Sequence, residues 1–192
     1  MSNITIFGTG NMGNAIAGVL ASGGASIEHI NQSTENPTVT GDIVILAVPY
    51  PALTDNASRF GDQLAGKVVV DITNPVNFAT FDSLVAPAGT SAAAELAALL
   101  PESHVLKAFN TNFAGTLAAD LVGPPKTTVL IAGDDADAKA ALANAIAAGG
   151  VVDAVDAGSL DRAHELEAHG FLQMTLAAAE KISWTGGFAL AG

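Results

Sequence analysis

Short runs of Val, Ile and Leu recur along the chain, and they leave few folds open to it. The runs are NITIF (3–7), DIVILAV (42–48), KVVVDI (67–72), HVLKAF (104–109), TTVLIA (127–132) and GVVDAV (150–155), with SIEHIN (26–31) a more polar member of the series. Nearly unbroken β-branched sequence suits strands covered on both faces, and the alanine-rich stretches between several runs suit crossover helices. The pattern predicts an α/β, doubly wound, mainly parallel sheet. Helix punctuation agrees. SAAAELAALLP (91–101) opens on a capping Ser and stops at Pro, and DDADAKAALANAIAAGG (134–150) has acidic residues in its first turn and Gly after its last. GSLDRAHELEAHGFLQMTLAAAEK (158–181) is helical by composition, with Gly170 a candidate break. The expectation is one domain, 1–192, in which 158–192 forms a short helical C-terminal extension.

The first strand runs straight into three glycines, IFGTGNMGNAIA (6–17), followed by apolar residues at helical spacing, Met12, Ile16, Val19 and Leu20. Strand, glycine turn and helix in that order are the context a dinucleotide-binding fingerprint requires. Gly8 permits the tight turn, Gly10 lets backbone approach a pyrophosphate, and Gly13 allows close helix–strand packing. The pyrophosphate then meets the unpaired amides and positive dipole end of the helix, with no lysine needed.

The same fingerprint places a carboxylate about 20 residues on when the ligand is NAD. Here the second strand ends at Asn31, followed by Gln32, Ser33 and Thr34, neutral donors that suit a 2′-phosphate where a carboxylate would repel it. NADP(H) is the favoured cofactor, although this segment brings no cation and Glu35 leaves a ribose contact open. Ligands of doubly wound sheets sit at the carboxyl ends of strands. That rule makes Ala47, Val48, Pro49 and Tyr50 of AVPYPAL (47–53) candidates to cover the cofactor's middle, and Asn74 of DITNP (71–75) a candidate for the nicotinamide ribose; a Pro-started helix and a plain Asn-Pro turn are the alternatives.

Composition narrows the function classes. With 49% hydrophobic and 14% charged residues the chain buries extensive surface, which suggests a subunit interface as well as a core. A formal charge of −12 repels nucleic acid and anionic lipid. Cys is absent, and neither a basic leader nor a membrane-length apolar run stands out, so the expectation is a soluble cytoplasmic protein with no membrane partner. No nucleophile–base pair is convincing, so no catalytic side chain is assigned. His164 and His169, five residues apart, do not share one helix face as zinc-binding pairs do, and no metal site is assigned.

Taken together, IFGTGNMG, AVPYPAL, VVDITNP, HVLKAFNTNFA, VLIAGDDADAKA and DAGSLDRAHELE resemble the NADP-dependent 8-hydroxy-5-deazaflavin reductase family, bacterial dinucleotide-binding oxidoreductases of the Rossmann type, across nearly the whole chain. The same blocks are similar to the ferric reductase domains of certain membrane metalloreductases. The resemblance implies hydride transfer between NADP(H) and a small-molecule planar acceptor, a deazaflavin coenzyme or flavin, in a homodimer. It adds Thr9, Asn11 and Met12 to the glycine turn, puts Asn31, Gln32 and Ser33 at the 2′-phosphate, and sets Ala108, Phe109 and Asn110 near the nicotinamide. A non-catalytic NADP(H)-binding redox sensor and a ferric or quinone reductase are the alternatives. The seven cations, Lys107 among them, are all that could meet an anionic acceptor tail, and Trp184 and Phe188 are candidate apolar walls or interface residues.

Overall fold

A computed structural model describes residues 2–87, 89–120, 122 and 125–190. The elements follow as β1 (Asn3–Phe7), α1 (Asn11–Ser22), β2 (Ser26–Ile30), β3 (Ile43–Leu46), α2 (Ala52–Leu64), β4 (Val68–Asp71), α3 (Ala92–Leu99), β5 (His104–Lys107), α4 (Ala114–Ala119), β6 (Thr128–Gly133), α5 (Ala136–Ala147), β7 (Asp153–Gly158), a 3₁₀ turn (Leu160–Arg162) and α6 (Ala163–Ala178). The strands form one sheet in the order β2-β1-β3-β4-β5-β6-β7. β1 to β5 are mutually parallel, as the unbroken apolar runs predict. β6 joins antiparallel to β5, and β7 lies parallel to β6.

Alternation within each strand divides the core into two layers. Ile4, Ile6, Ile43, Ile45, Val70 and Leu106 pack with α1, α4 and α5. Phe7, Val44, Leu46, Val69 and Val105 pack with α2 and α3. Helix starts follow local chemistry: Ser91 Oγ accepts from the Ala94 N–H and Asp135 Oδ1 from the Ala138 N–H, caps worth about 1 kcal/mol each in typical helices.

Most elements end within a residue or two of the sequence reading, and two departures are larger. The last strand is Asp153–Gly158 rather than 150–155, because the chain is still turning through Gly150 (φ +68°) while Val152 enters the core. α6 also continues through Gly170, because that glycine sits where a side chain has no room, as the site geometry makes plain. Among the described residues no helix is long and apolar enough to cross a membrane.

Candidate dinucleotide cleft

Strand register builds the site. Ile30, Phe7, Leu46, Asp71 and Lys107 lie side by side at the strand tips, so the residues just beyond them, Asn31, Gly8, Ala47, Ile72 and Ala108, form one crest. The strand order turns back between β1 and β3, the switch point at which doubly wound sheets open a crevice. At this point Gly8 adopts φ +109°, and a Cβ there would overlap the Ala47 carbonyl oxygen. A Cβ on Gly13 would lie 2.7 Å from the Gly8 oxygen, whereas one on Gly10 would meet nothing within 4 Å. Gly8 and Gly13 are thus required by packing, and Gly10 borders open space at the start of α1. No side chain caps α1, which leaves its first-turn amides facing outward. His29 Nδ1 lies 2.9 Å from the Gly8 oxygen and steadies the turn from β2.

Two clefts meet over this crest and share Ala47, Val48 and Pro49. The first, about 720 Å³, is lined by Gly8, Thr9, Gly10, Asn31, Gln32 and Ser33 together with Asp55, Asn56 and Arg59 of α2. The second, about 860 Å³, is lined by Asn11, Met12, Tyr50, Thr73, Asn74, Phe109 and Asn110, and walled by Phe78, Phe113, Met174 and Trp184. A segmented groove with glycine amides at its waist fits an elongated molecule with a diphosphate in the middle. Thr73 Oγ1, Asn110 Oδ1 and Asn112 Oδ1, on residues lining the second cleft, are buried without a protein hydrogen-bond partner, which leaves them to ordered water or to a bound molecule.

The floor of the second cleft is held by side chains from three elements. Asn74 Nδ2 donates to the main-chain oxygen of Asn110 (2.8 Å), and Asn110 Nδ2 donates to Asn74 Oδ1 (2.9 Å) and to the Leu166 oxygen on α6 (2.8 Å). Phe109 reaches this position with φ +62°, a backbone region that costs a bulky residue about 1–2 kcal/mol, while its ring is wholly buried. Below it, Lys107 Nζ sits without solvent contact between Asp71 Oδ2 and Glu167 Oε1, each at 2.8 Å, and donates to the Thr73 oxygen. Glu167 also accepts from the Ala92 N–H at the start of α3 (2.9 Å). Burial pushes the Glu167 carboxyl up from its ordinary range, against the pull of Lys107. The triad ties α6 and α3 to the strand tips, and it corrects one expectation: Lys107 has no surface with which to meet an acceptor.

Most sequence candidates come together here. Gly8, Thr9, Gly10, Asn31, Gln32 and Ser33 line the first cleft; Asn11, Met12, Tyr50, Asn74 and Asn110 line the second; Ala47, Val48 and Pro49 line both; and Gly13 packs behind the turn. Ala108 lines neither cleft, because it is buried in the core with its N–H bonded to the Asp71 oxygen. Glu35 is likewise absent from the lining. Arg59, Glu167 and Gly170 are additions. Arg59 has a sequence signature, since Ala52, Asp55, Asn56 and Arg59 share one face of α2, beside the stripe of buried residues Leu53, Ala57, Phe60 and Leu64. Glu167 has none: nothing in the sequence separates it from the exposed Glu165 two residues earlier.

Fold and crest together define a dinucleotide-binding protein of the Rossmann type. Residues 28–75 match the family model described as NADP oxidoreductase, coenzyme F420-dependent. The chain is 31% identical over 156 residues to the F420-dependent NADP reductase of Methanocaldococcus jannaschii, covering 78% of this chain and 68% of that one. It belongs to the family of F420-dependent NADP reductases, which are NADP-dependent oxidoreductases. It is also 34% identical over 136 residues to the metalloreductase STEAP3 of Rattus norvegicus, covering 70% of this chain but 26% of that protein. The fold matches a crystal structure described as a candidate F420-dependent NADP reductase from Arthrobacter sp. FB24 over the full length of both chains, with TM-score 0.82 at 23% identity. A hypothetical protein of Sinorhizobium meliloti matches at TM-score 0.71 and 27% identity, over 83% of this chain and 86% of that one.

Proposed function

We propose that this chain transfers a hydride between NADP(H) and a deazaflavin or flavin acceptor. The observation that carries the reading is the pair of clefts joined at Ala47–Val48–Pro49: a dinucleotide with its diphosphate on the glycine turn extends its adenosine half into one and its nicotinamide half into the other. In this reading Thr9, Gly10, Asn11 and Met12 offer main-chain contacts to the diphosphate, and Gly8 and Gly13 shape the turn. Asn31, Gln32 and Ser33 border the adenosine ribose. Asn74 and Asn110 face the nicotinamide half. The bound nicotinamide supplies the hydride chemistry. The chain's residues align two rings, whose reacting carbons must approach within about 3–3.5 Å, and keep water away. The predominantly apolar wall of Phe78, Phe113, Met174 and Trp184 suits both tasks. No side chain is assigned a proton-transfer role, since hydride transfer between rings needs none at the donor.

A homodimer and a cytoplasmic location go with this reading. Exposed Leu172, Trp184, Phe188 and Leu190 support the former, and the absence of cysteine is compatible with the latter. The test follows NADPH and NADH oxidation against a panel of deazaflavin, flavin, quinone and ferric acceptors. NADPH-dependent turnover with deazaflavin or flavin is expected. Tight nucleotide binding with no oxidation across the panel would sink the enzyme reading in favour of a sensor, and turnover only with ferric chelate or quinone would replace the acceptor.

A further inference from the structure

The end of β2 brings no cation to the adenosine cleft, and part of its neutral donor set, Ser33 and Thr34, is already engaged with Asn31, leaving the side-chain amides of Asn31 and Gln32. Asn31 Oδ1 accepts from the Ser33 N–H (2.9 Å) and from Ser33 Oγ (2.6 Å), and Thr34 Oγ1 accepts from the Asn31 N–H (3.0 Å). A doubly charged phosphate set among these groups would find few free donors and no compensating charge. The carboxylates of this region turn elsewhere: Glu28 accepts from Thr40, and Glu35 is not part of the lining.

The opposite wall supplies the cation. Arg59 lies one turn after Asp55 on α2, on the face turned to the same cleft as Gln32 and Ser33. Its Cζ stands 4.9 Å from the centroid of the Phe60 ring, an arrangement that limits the wandering of the side chain without using its N–H groups. Phe60 is itself fixed, edge-on to Phe7 at the tip of β1 (4.9 Å between centroids). Among the described residues Arg59 is in no salt bridge, although Asp55 shares its cleft. The other cations are committed or remote from this cleft: Lys107 is buried, Lys139 and Arg162 are paired with Asp156 and Glu165, Lys126 lies 4.0 Å from Asp153, Lys67 donates to the Gly41 oxygen, and Lys181, past the end of α6, does not line it. A planar guanidinium with several donors is the group best matched to a phosphate's oxygens.

We propose that Arg59 reads the ribose 2′-phosphate and sets the preference for NADP(H) over NAD(H), a task moved from the β2 turn, where its residues are neutral, to the facing helix. The inference rests on the dinucleotide reading above. Asp55 works against it, and its removal strengthens phosphate binding.

The test is calorimetric and needs no turnover: adenosine 2′,5′-bisphosphate and adenosine 5′-monophosphate are titrated into the wild type, R59Q, R59K and D55N. R59Q is expected to weaken the bisphosphate about 10–100-fold, the usual weight of a hydrogen bond to a charged group, while leaving the monophosphate unchanged. R59K regains most of the loss, and D55N binds the bisphosphate more tightly than wild type. Equal losses for both ligands in R59Q, or no loss for either, would overturn the assignment of Arg59. A wild type that binds neither these ligands nor NADP(H) would overturn the dinucleotide reading itself.

Discussion

Asn74 and Asn110 hold one another across the tips of neighbouring strands, each donating through its side-chain amide to the other residue, and Gly170 of α6 sits directly on the pair. A Cβ at position 170 would lie 2.6 Å from Asn74 Oδ1 and 2.7 Å from the Asn110 oxygen. The glycine that marks a helix break in the sequence is therefore a contact point, and the helix tolerates it at the usual cost of about 1 kcal/mol.

Gly170→Ala sets a helix gain against a clash. Alanine recovers about 1 kcal/mol of helix propensity, and overpacking costs about 1–3 kcal/mol, so the net loss of stability is about 0–2 kcal/mol. The asparagine pair must shift by several tenths of an ångström, and under the proposed function the alignment of the transferring rings suffers. The expected outcome is a melting temperature within a few degrees of wild type, unchanged affinity for adenosine 2′,5′-bisphosphate and a kcat lowered by at least about tenfold. A kcat equal to wild type, read by NADPH oxidation, would show that the pair does not position the reacting groups.

The buried triad gives a second outcome. Lys107→Met removes the one cation between Asp71 and Glu167, leaving two carboxylates desolvated together; loss of one partner from a buried ion pair typically costs about 3–5 kcal/mol. Urea unfolding of K107M should show that loss, and the double variant K107M/E167Q should recover part of it.

Glu167 carries a pH signature of its own. Its folded-state pKa is raised by burial, so the folded state holds a proton that the unfolded chain has released once the pH passes the ordinary glutamate value. The associated stability is fully present below that value and is lost as pH rises towards the folded pKa, with a slope of at most about 1.4 kcal/mol per pH unit. Glu167→Gln lacks the titration. The difference in unfolding free energy, E167Q minus wild type, should therefore grow more favourable to the glutamine as pH rises from about 4.5. A difference that stays flat across this window would contradict the assignment.

Much of this was legible in the chain beforehand, and the reason lies in which constraints are local. The interiors of NITIF, IVIL and VVVD are buried on both faces, which favours a nearly unbroken apolar run with Thr5 and the strand-tip Asp71 as buried exceptions, and β1 matches its predicted limits residue for residue. Gly8 and Gly13 carry steric requirements that only glycine meets, which makes the turn readable from three letters. The triad was not readable, because Lys107 and Glu167 are 60 positions apart in sequence and 2.8 Å apart in space. Gly170 was misread for the same reason: its local meaning, a weak helix position, was overridden by Asn74 and Asn110, just past the tips of β4 and β5. The antiparallel entry of β6 likewise leaves no mark on a run as apolar as TTVLIA.

Tyr50 is the only tyrosine in the chain, and it lines the second cleft. Its hydroxyl donates to Glu95 Oε2 (2.7 Å), and burial together with that carboxylate pushes its pKa up to about 12. The phenol thus keeps its proton well above neutral pH and directs its hydroxyl hydrogen bond to Glu95 rather than to a ligand. Alkaline titration of phenolate absorbance reads this one residue and should reach its midpoint near pH 12; a midpoint near the ordinary value of about 10 would mean that the Glu95 contact is absent in solution. Because the folded pKa exceeds the unfolded one, the associated stability falls as pH rises from about 10 towards 12.

The acceptor side of the cleft yields the last expectation. No Lys or Arg lines the second cleft among the described residues, and the protein carries a formal charge of −12. A planar ring can enter between the apolar walls, but an anionic tail attached to it has no cation to meet and lies in a repulsive field. Under the proposed function, a deazaflavin trimmed to its ring and sugar-alcohol portion, without the anionic tail, should therefore match or exceed the tailed coenzyme in kcat/KM at saturating NADPH. Added salt screens the field over a Debye length that shrinks from about 30 Å at 0.01 M to about 8 Å at 0.15 M. Raising ionic strength across that range should accelerate the tailed acceptor and leave the trimmed one nearly unchanged. If the tailed acceptor is preferred and slows as salt is added, an attractive contact to the tail exists that the cleft's lining does not contain.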